Sequence, residues 1–147
     1  MDEEFRMVLS RACEYAIQAI LYLARQDPDR LVMSKEIADR LHIPRHFLAK
    51  ILQDLVRSGL VESFKGPTGG FRLAVSPDRL TLLDVVAAVD GLGIFDRCGI
   101  GLKQCSDDNP CPIHERWKPA RQAIRDVLGQ RSVAELLQES TIEPREE

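Results

Sequence analysis

The segment 34–75 sets the tightest limit on what this chain can fold into. Ser34 is a good helix N-cap and Glu36 puts an acid in the first turn, where the helix dipole favours it, so a short helix is expected over 34–41. His42-Ile43 reads as a tight turn. Pro44, whose missing N–H would have no partner at a first helical position, opens a further helix over 44–58 that Gly59 closes. In that helix Phe47, Leu48, Ile51, Leu52 and Leu55 form an apolar stripe, leaving Arg45, His46, Ala49, Lys50, Gln53 and Arg57 on the other face. Residues 60–64 and 71–75 then alternate as strands about the turn Gly66-Pro67-Thr68-Gly69-Gly70. Two short helices joined by a few residues, the second with a donor-rich face, match the geometry that lays a recognition helix in the major groove of DNA. Lys65, Thr68 and Arg72 flank the hairpin tip, where a phosphate or minor-groove contact would fall. The pattern predicts a mostly α fold with a small β wing, a winged helix-turn-helix.

Composition limits how such a reader would bind. With 147 residues and 44% apolar content the chain can build one compact domain with an extension. Its net charge of −3 argues against coating nucleic acid by bulk electrostatics, so any contact must be local. The segment 34–75 does carry a local excess: Lys/Arg at 35, 40, 45, 50, 57, 65 and 72 against acids at 36, 39, 54 and 62. Ahead of it, apolar residues recur at helical spacing from Leu9 to Ala24 and predict a helix over 9–26, ending at Asp27-Pro28-Asp29. Cys13 lies on its apolar face and reads as a small core residue. No stretch approaches the length of a membrane span, and the acidic start Asp2-Glu3-Glu4 is unlike a signal peptide, so a cytoplasmic protein is expected.

The C-terminal half is of another kind. Thr81 with Asp84 forms a capping-box pattern for a helix over 81–90, ended by Gly91. Residues 92–112 have no periodicity; they hold Cys98, Cys105 and Cys111, with His114 just beyond. A loop of this length in a compact domain is usually functional. In a reducing compartment the thiols point to metal or redox chemistry, and three Cys with one His suits a structural zinc, an iron-sulfur cluster or a thiol switch. The gaps, wider than zinc knuckles, lean toward a cluster. Pro112 is read as opening a helix over 113–129, with Cys111 at its N-terminus. Ile113, Trp117, Ala120, Ile124 and Val127 make a narrow seam on it, suited to a second copy. Ser132 with Glu135 caps a last short helix to about 139, and a frayed tail follows from Thr141.

The arrangement resembles the Rrf2 family of transcriptional regulators, its iron-sulfur sensors in particular. The likeness covers about residues 7–139. It rests on Leu9-Ser10-Arg11-Ala12-Cys13-Glu14-Tyr15-Ala16, on Phe47-Leu48-Ala49-Lys50-Ile51-Leu52 with Ser58-Gly59-Leu60-Val61, on Lys65-Gly66-Pro67-Thr68-Gly69-Gly70-Phe71, on Asp84-Val85-Val86-Ala87-Ala88-Val89-Asp90-Gly91, and on the three-cysteine loop. The resemblance implies a homodimer whose long helix crosses its mate, with recognition helices in successive major grooves of a palindromic operator. It also implies a 2Fe-2S cluster, or less often 4Fe-4S, on the three cysteines, with zinc as the runner-up. For the fourth ligand, His114 matches the position used in one branch and Glu14 the position of a carboxylate used in another; His114 is preferred. The gap between Cys98 and Cys105 is one residue longer than is typical of the best-known branches.

These readings give two parts: a DNA-binding domain over 1–80, and over 81–147 the cluster loop (92–112), the dimerisation helix (113–129) and a short C-terminal helix. The expected function is a DNA-binding regulator whose operator affinity responds to cluster state. Arg45, His46, Lys50 and Gln53 on the recognition helix, with Lys65, Thr68 and Arg72 in the wing, are the expected contacts. A zinc-stabilised or thiol-switch regulator without a cluster is the alternative. An enzyme is not expected, because nothing supplies a substrate pocket, a nucleotide loop or an acid/base pair.

Overall fold

The computed structural model describes residues 8–140; Asp2, Glu3, Glu4 and the tail from Thr141 lie outside the described residues. Six helices and one hairpin follow in the order α1 (Arg11–Ala24), α2 (Ser34–Leu41), α3 (Arg45–Arg57), β1 (Val61–Phe64), β2 (Gly70–Leu73), α4 (Leu82–Val89), α5 (His114–Gly129) and α6 (Val133–Gln138). A single 3-10 turn, Gly93–Phe95, interrupts the stretch between α4 and α5.

Each boundary has a local cause. Ser10 caps α1 by accepting the Cys13 N–H, a role the sequence reading did not assign. Met33, not Ser34, is the residue before α2. Ser34 already has helical backbone and makes no capping bond, so the expected Ser34 cap is corrected. The exit from α2 is His42 at φ 57, a left-handed conformation rare outside glycine that turns the chain sharply into α3. Pro44 precedes α3, and Gly59 at φ 82 follows it. The capping boxes Thr81/Asp84 and Ser132/Glu135 are both formed, each with reciprocal side-chain to backbone bonds.

The wing is an antiparallel pair with Val61 opposite Leu73 and Phe64 opposite Gly70. Val32 bridges to Phe71 through two N–H···O bonds of 2.8 Å, pinning the hairpin to the chain entering α2. That bridge explains Gly70: a Cβ there would sit 2.9 Å from the Val32 carbonyl oxygen.

Two apolar clusters organise the molecule. The larger joins α1, α2 and α3 through Ile20, Ile37, Leu41, Leu48, Ile51, Leu52 and Leu55, with Leu80, Val85 and Val133 closing it from the C-terminal half. The smaller contains Cys13, Val86, Phe95 and Leu128, and draws in Leu9, Leu83, Ile94 and Ile124. It ties the start of α1 to α4, to the first residues of the long loop and to α5. Ser10 adds a polar tie across the same junction, its backbone N–H donating to Asp90 at 2.9 Å and its hydroxyl to the other carboxylate oxygen. The chain's mode of entry into the loop is therefore fixed to the start of α1.

Cys13 is fully buried, as expected of a core residue. Burial, reinforced by the carboxylates of Asp90 and Glu14, pushes its thiol up to about 12. Under native anaerobic conditions at pH 8, a thiol reagent is expected to label Cys98, Cys105 and Cys111 in metal-free protein while Cys13 reacts only on unfolding. Four native equivalents by mass spectrometry would contradict the buried placement.

Candidate metal centre and nucleic-acid face

The loop between α4 and α5 brings the three separated cysteines together. All three Sγ atoms lie within 4.8 Å of one another, and each residue as a whole is half-buried. Cys98 Sγ is 3.5 Å from Cys111 Sγ, and the Cys111 N–H donates to Cys105 Sγ at 3.4 Å. Backbone geometry around the thiols is set by short-range turns, Gly101 N–H to the Cys98 carbonyl (3.1 Å) and Cys105 N–H to the Leu102 carbonyl (3.3 Å). Gly99 permits the close packing of this turn on α5, because a Cβ there would lie 2.6 Å from the Trp117 ring.

The electrostatics differ between thiols. Desolvation opposes ionisation of Cys98, but N–H groups of Ile100 and Leu102 and the neighbouring Cys111 and Cys105 thiols outweigh it and bring its thiol down to about 7. For Cys105 the Cys111 N–H favours the thiolate, yet desolvation and the two adjoining sulfur atoms prevail and push the thiol up. Of these two, Cys98 is the one that more readily offers a thiolate.

His114 is the first residue of α5 and only 8% exposed. Its Nδ1 is 3.3 Å from Cys105 Sγ, and its Nε2 is 2.8 Å from Asp107 Oδ1. Asp107 also accepts from Lys118 Nζ at 3.0 Å, and these two partners hold its carboxyl below the usual range. Glu14 is on the exposed side of α1, paired with Arg11 at 3.9 Å; the group of donor atoms within 4.8 Å of one another holds the three thiols and neither Glu14 nor His114, whose Nδ1 adjoins Cys105. The helix starts two residues later than Pro112, with Ile113 in the capping place and Cys111 in the turn before it; the expected opening at Pro112 is corrected accordingly.

The donor set fits a thiophilic metal. Thiolate and imidazole suit zinc or iron-sulfur iron, and hard oxygen-seeking cations would find no cage of oxygen ligands here. A tetrahedral ion with bonds of about 2.3 Å spaces its thiolates about 3.8 Å apart, near the Cys98–Cys111 separation of 3.5 Å. A cluster, in which thiolates bind different irons, needs the sulfur atoms to part further than this.

Arg45, His46, Lys50 and Gln53 are all exposed on α3, facing away from Leu48, Ile51, Leu52 and Leu55. Lys65 and Thr68 are exposed at the wing tip. Arg72 is held back: its guanidinium lies 4.8 Å over the Phe64 ring and its Nε is 3.2 Å from Glu62. Of the helix-seam residues, Trp117 packs on Gly99 of its own loop, Ile124 joins the smaller core and Ile113 is half-buried. Ala120 is exposed, and Val127 is 71% exposed. The sequence reading missed Asp107, Lys118 and the Ser10–Asp90 tie.

A winged helix joined through a thiol-lined loop to a long helix is the architecture of a DNA-binding protein with a metal-capable appendage. The chain belongs to the Rrf2 family of iron-dependent transcriptional regulators, whose profile matches residues 9–139. It is 38% identical over 89% of its length to a protein of Aquifex aeolicus named as an HTH-type transcriptional regulator, covering 92% of that protein. It is 29% identical to the HTH-type transcriptional regulator IscR of Aliivibrio salmonicida, over 93% of this chain and 81% of that one. Among solved structures, CymR, described as the global cysteine regulator of B. subtilis, superposes with a TM-score of 0.74 at 24% identity, covering 90% of this chain and 97% of that one. The T. potens IscR gives 0.72 at 24%, over 92% and 90%. These relatives are transcriptional regulators, and the mostly helical fold with a two-stranded wing is theirs as well. Among the described residues no helix is long and apolar enough to cross a membrane.

Proposed function

We propose that this regulator acts as a homodimer whose affinity for a palindromic operator depends on a 2Fe-2S cluster held by Cys98, Cys105, Cys111 and His114. The observation that carries the reading is the convergence of three thiols within 4.8 Å beside a buried imidazole, on a loop whose entry is packed against α1. When bound, such a centre supplies one-electron redox chemistry. The protein's part is mechanical. Ligation orders the loop, the smaller core passes that order to α1 and α4, and the placement of α3 relative to its mate changes. Couplings of this type amount to about 1–3 kcal/mol, or about 5-fold to 150-fold in affinity.

Anaerobic purification with iron, sulfide and zinc analysis, followed by footprinting of loaded and metal-free protein, tests the reading. A brown protein with a loading-dependent footprint is expected. A colourless protein with stoichiometric zinc would replace the cluster by the second reading, which the tight thiol spacing favours: a zinc-stabilised regulator.

In the same reading Arg45, His46, Lys50 and Gln53 meet the major groove, and Lys65 and Thr68 at the wing tip meet the phosphates or the minor groove beside it, with Arg72 exchanging its Glu62 and Phe64 partners for a phosphate on binding. Lys50→Ala is expected to weaken operator binding without unfolding the chain, since Lys50 is exposed on α3. As a phosphate contact it would lower affinity similarly for all sequences and reduce the salt slope by about one unit. Unchanged binding in a salt titration would remove this face from the reader.

A further inference from the structure

We propose that Asp107 is a positioning residue that fixes His114 in the tautomer offering its Nδ1 lone pair to the thiol group, with Lys118 holding Asp107 in place. The inference rests on the reading of His114 as a metal ligand and goes beyond it. A neutral imidazole has one N–H donor and one acceptor nitrogen, and which is which follows from its partners. Asp107 Oδ1, 2.8 Å from Nε2, belongs to a carboxylate and can only accept. Nε2 therefore carries the hydrogen, and Nδ1 is the acceptor. Nδ1 is also the nitrogen 3.3 Å from Cys105 Sγ. In metal-free protein the Cys105 thiol donates to it; with a metal present the same lone pair is available for coordination.

The placement is built from two directions. Asp107 comes from the turn between Cys105 and Cys111, so the carboxylate travels with the thiols. His114 and Lys118 come from α5, four residues apart and hence on one face of the helix. Lys118 Nζ lies 3.0 Å from the same Oδ1 that receives Nε2–H. An exposed Asp–Lys pair alone would contribute little to stability. A carboxylate behind a ligating imidazole has a different consequence, since loss of such a partner typically lowers metal affinity about 10-fold to 100-fold.

The test uses full-length protein, reduced and anaerobic. In the metal-free state, ¹⁵N-histidine spectra are expected to show His114 protonated at Nε2 in the wild type, and mixed or reversed in Asp107→Asn, whose amide can donate to Nε2. Titration with Co²⁺, read by its thiolate charge-transfer band, is expected to show binding about 10-fold to 100-fold weaker in Asp107→Asn and largely restored in Asp107→Glu. Lys118→Met should fall between. An unaltered tautomer in Asp107→Asn, or an altered one with unchanged Co²⁺ affinity, overturns the inference. His114→Ala separates the two levels: if it weakens Co²⁺ while Asp107→Asn does not, the ligand reading stands and the positioning role fails. If His114→Ala leaves affinity and spectrum unchanged, the ligand reading itself fails.

Discussion

Cys105→Ala is expected to leave a folded protein that retains no cluster and no longer distinguishes loading conditions in operator binding. Cys105 is the hub of the donor set: its Sγ receives the Cys111 N–H and faces His114 Nδ1. Its removal leaves Cys98, Cys111 and an imidazole that has lost its neighbour, one short of the four protein ligands that a 2Fe-2S cluster takes. The fold should survive because Cys105 belongs to neither apolar cluster. Visible absorbance, iron and sulfide content should fall to background after anaerobic reconstitution. The affinity difference between loaded and metal-free wild type, about 5-fold to 150-fold, should collapse to none. Cys13→Ser would be a poor control, since it places a hydroxyl in the smaller core; Cys13→Ala is the better one and should keep the colour. Full absorbance in Cys105→Ala would remove it from the ligand set.

The second large effect concerns assembly. Val127→Asp is expected to dissociate the dimer and to weaken operator binding with it. Val127 stands 71% exposed on α5, and exposed Ala120 lies seven residues before it on the same stripe. A lone exposed valine is ordinary, but here it sits on the seam that the sequence pattern assigns to a second copy. In a single chain an aspartate at this place remains hydrated and disturbs nothing. In a helix-to-helix interface it buries an unpaired charge from each subunit, on the order of 3 kcal/mol apiece, and dimerisation should weaken by more than about 100-fold. Sedimentation at micromolar concentration should then show a monomer with unchanged far-ultraviolet circular dichroism. A persistent dimer would place the interface on another surface. Trp117→Ala is the less informative variant, because Trp117 packs on Gly99 of its own loop and its removal would perturb the thiol site as well.

What could be read from the sequence was what short-range physics determines. The Thr81/Asp84 and Ser132/Glu135 boxes are contacts between residues three apart, so pattern and structure coincide. The α3 stripe was equally plain, since Leu48, Ile51, Leu52 and Leu55 recur at helical spacing and are all buried. Ser34 misled because a good capping residue stands one place inside the helix, where its backbone is already helical. The thiol group could be proposed from composition, but not its shape. Trp117 on Gly99, Asp90 on Ser10 and Asp107 on His114 depend on how an aperiodic loop folds back, and no periodicity encodes that. Arg72 reads in the sequence as a wing contact for DNA, and its pairing with Glu62 follows from the hairpin register, which sets the two opposite each other.

The loop from Asp96 to Pro112 contains turns but no strand of a sheet. In a strand, a one-residue insertion would flip every following side chain to the other face and propagate the error through the ladder. Here an added residue is absorbed within one turn. A change in the spacing between Cys98 and Cys105 would therefore act on the turns that set the separation of the donors, and would leave the register of the wing as it is.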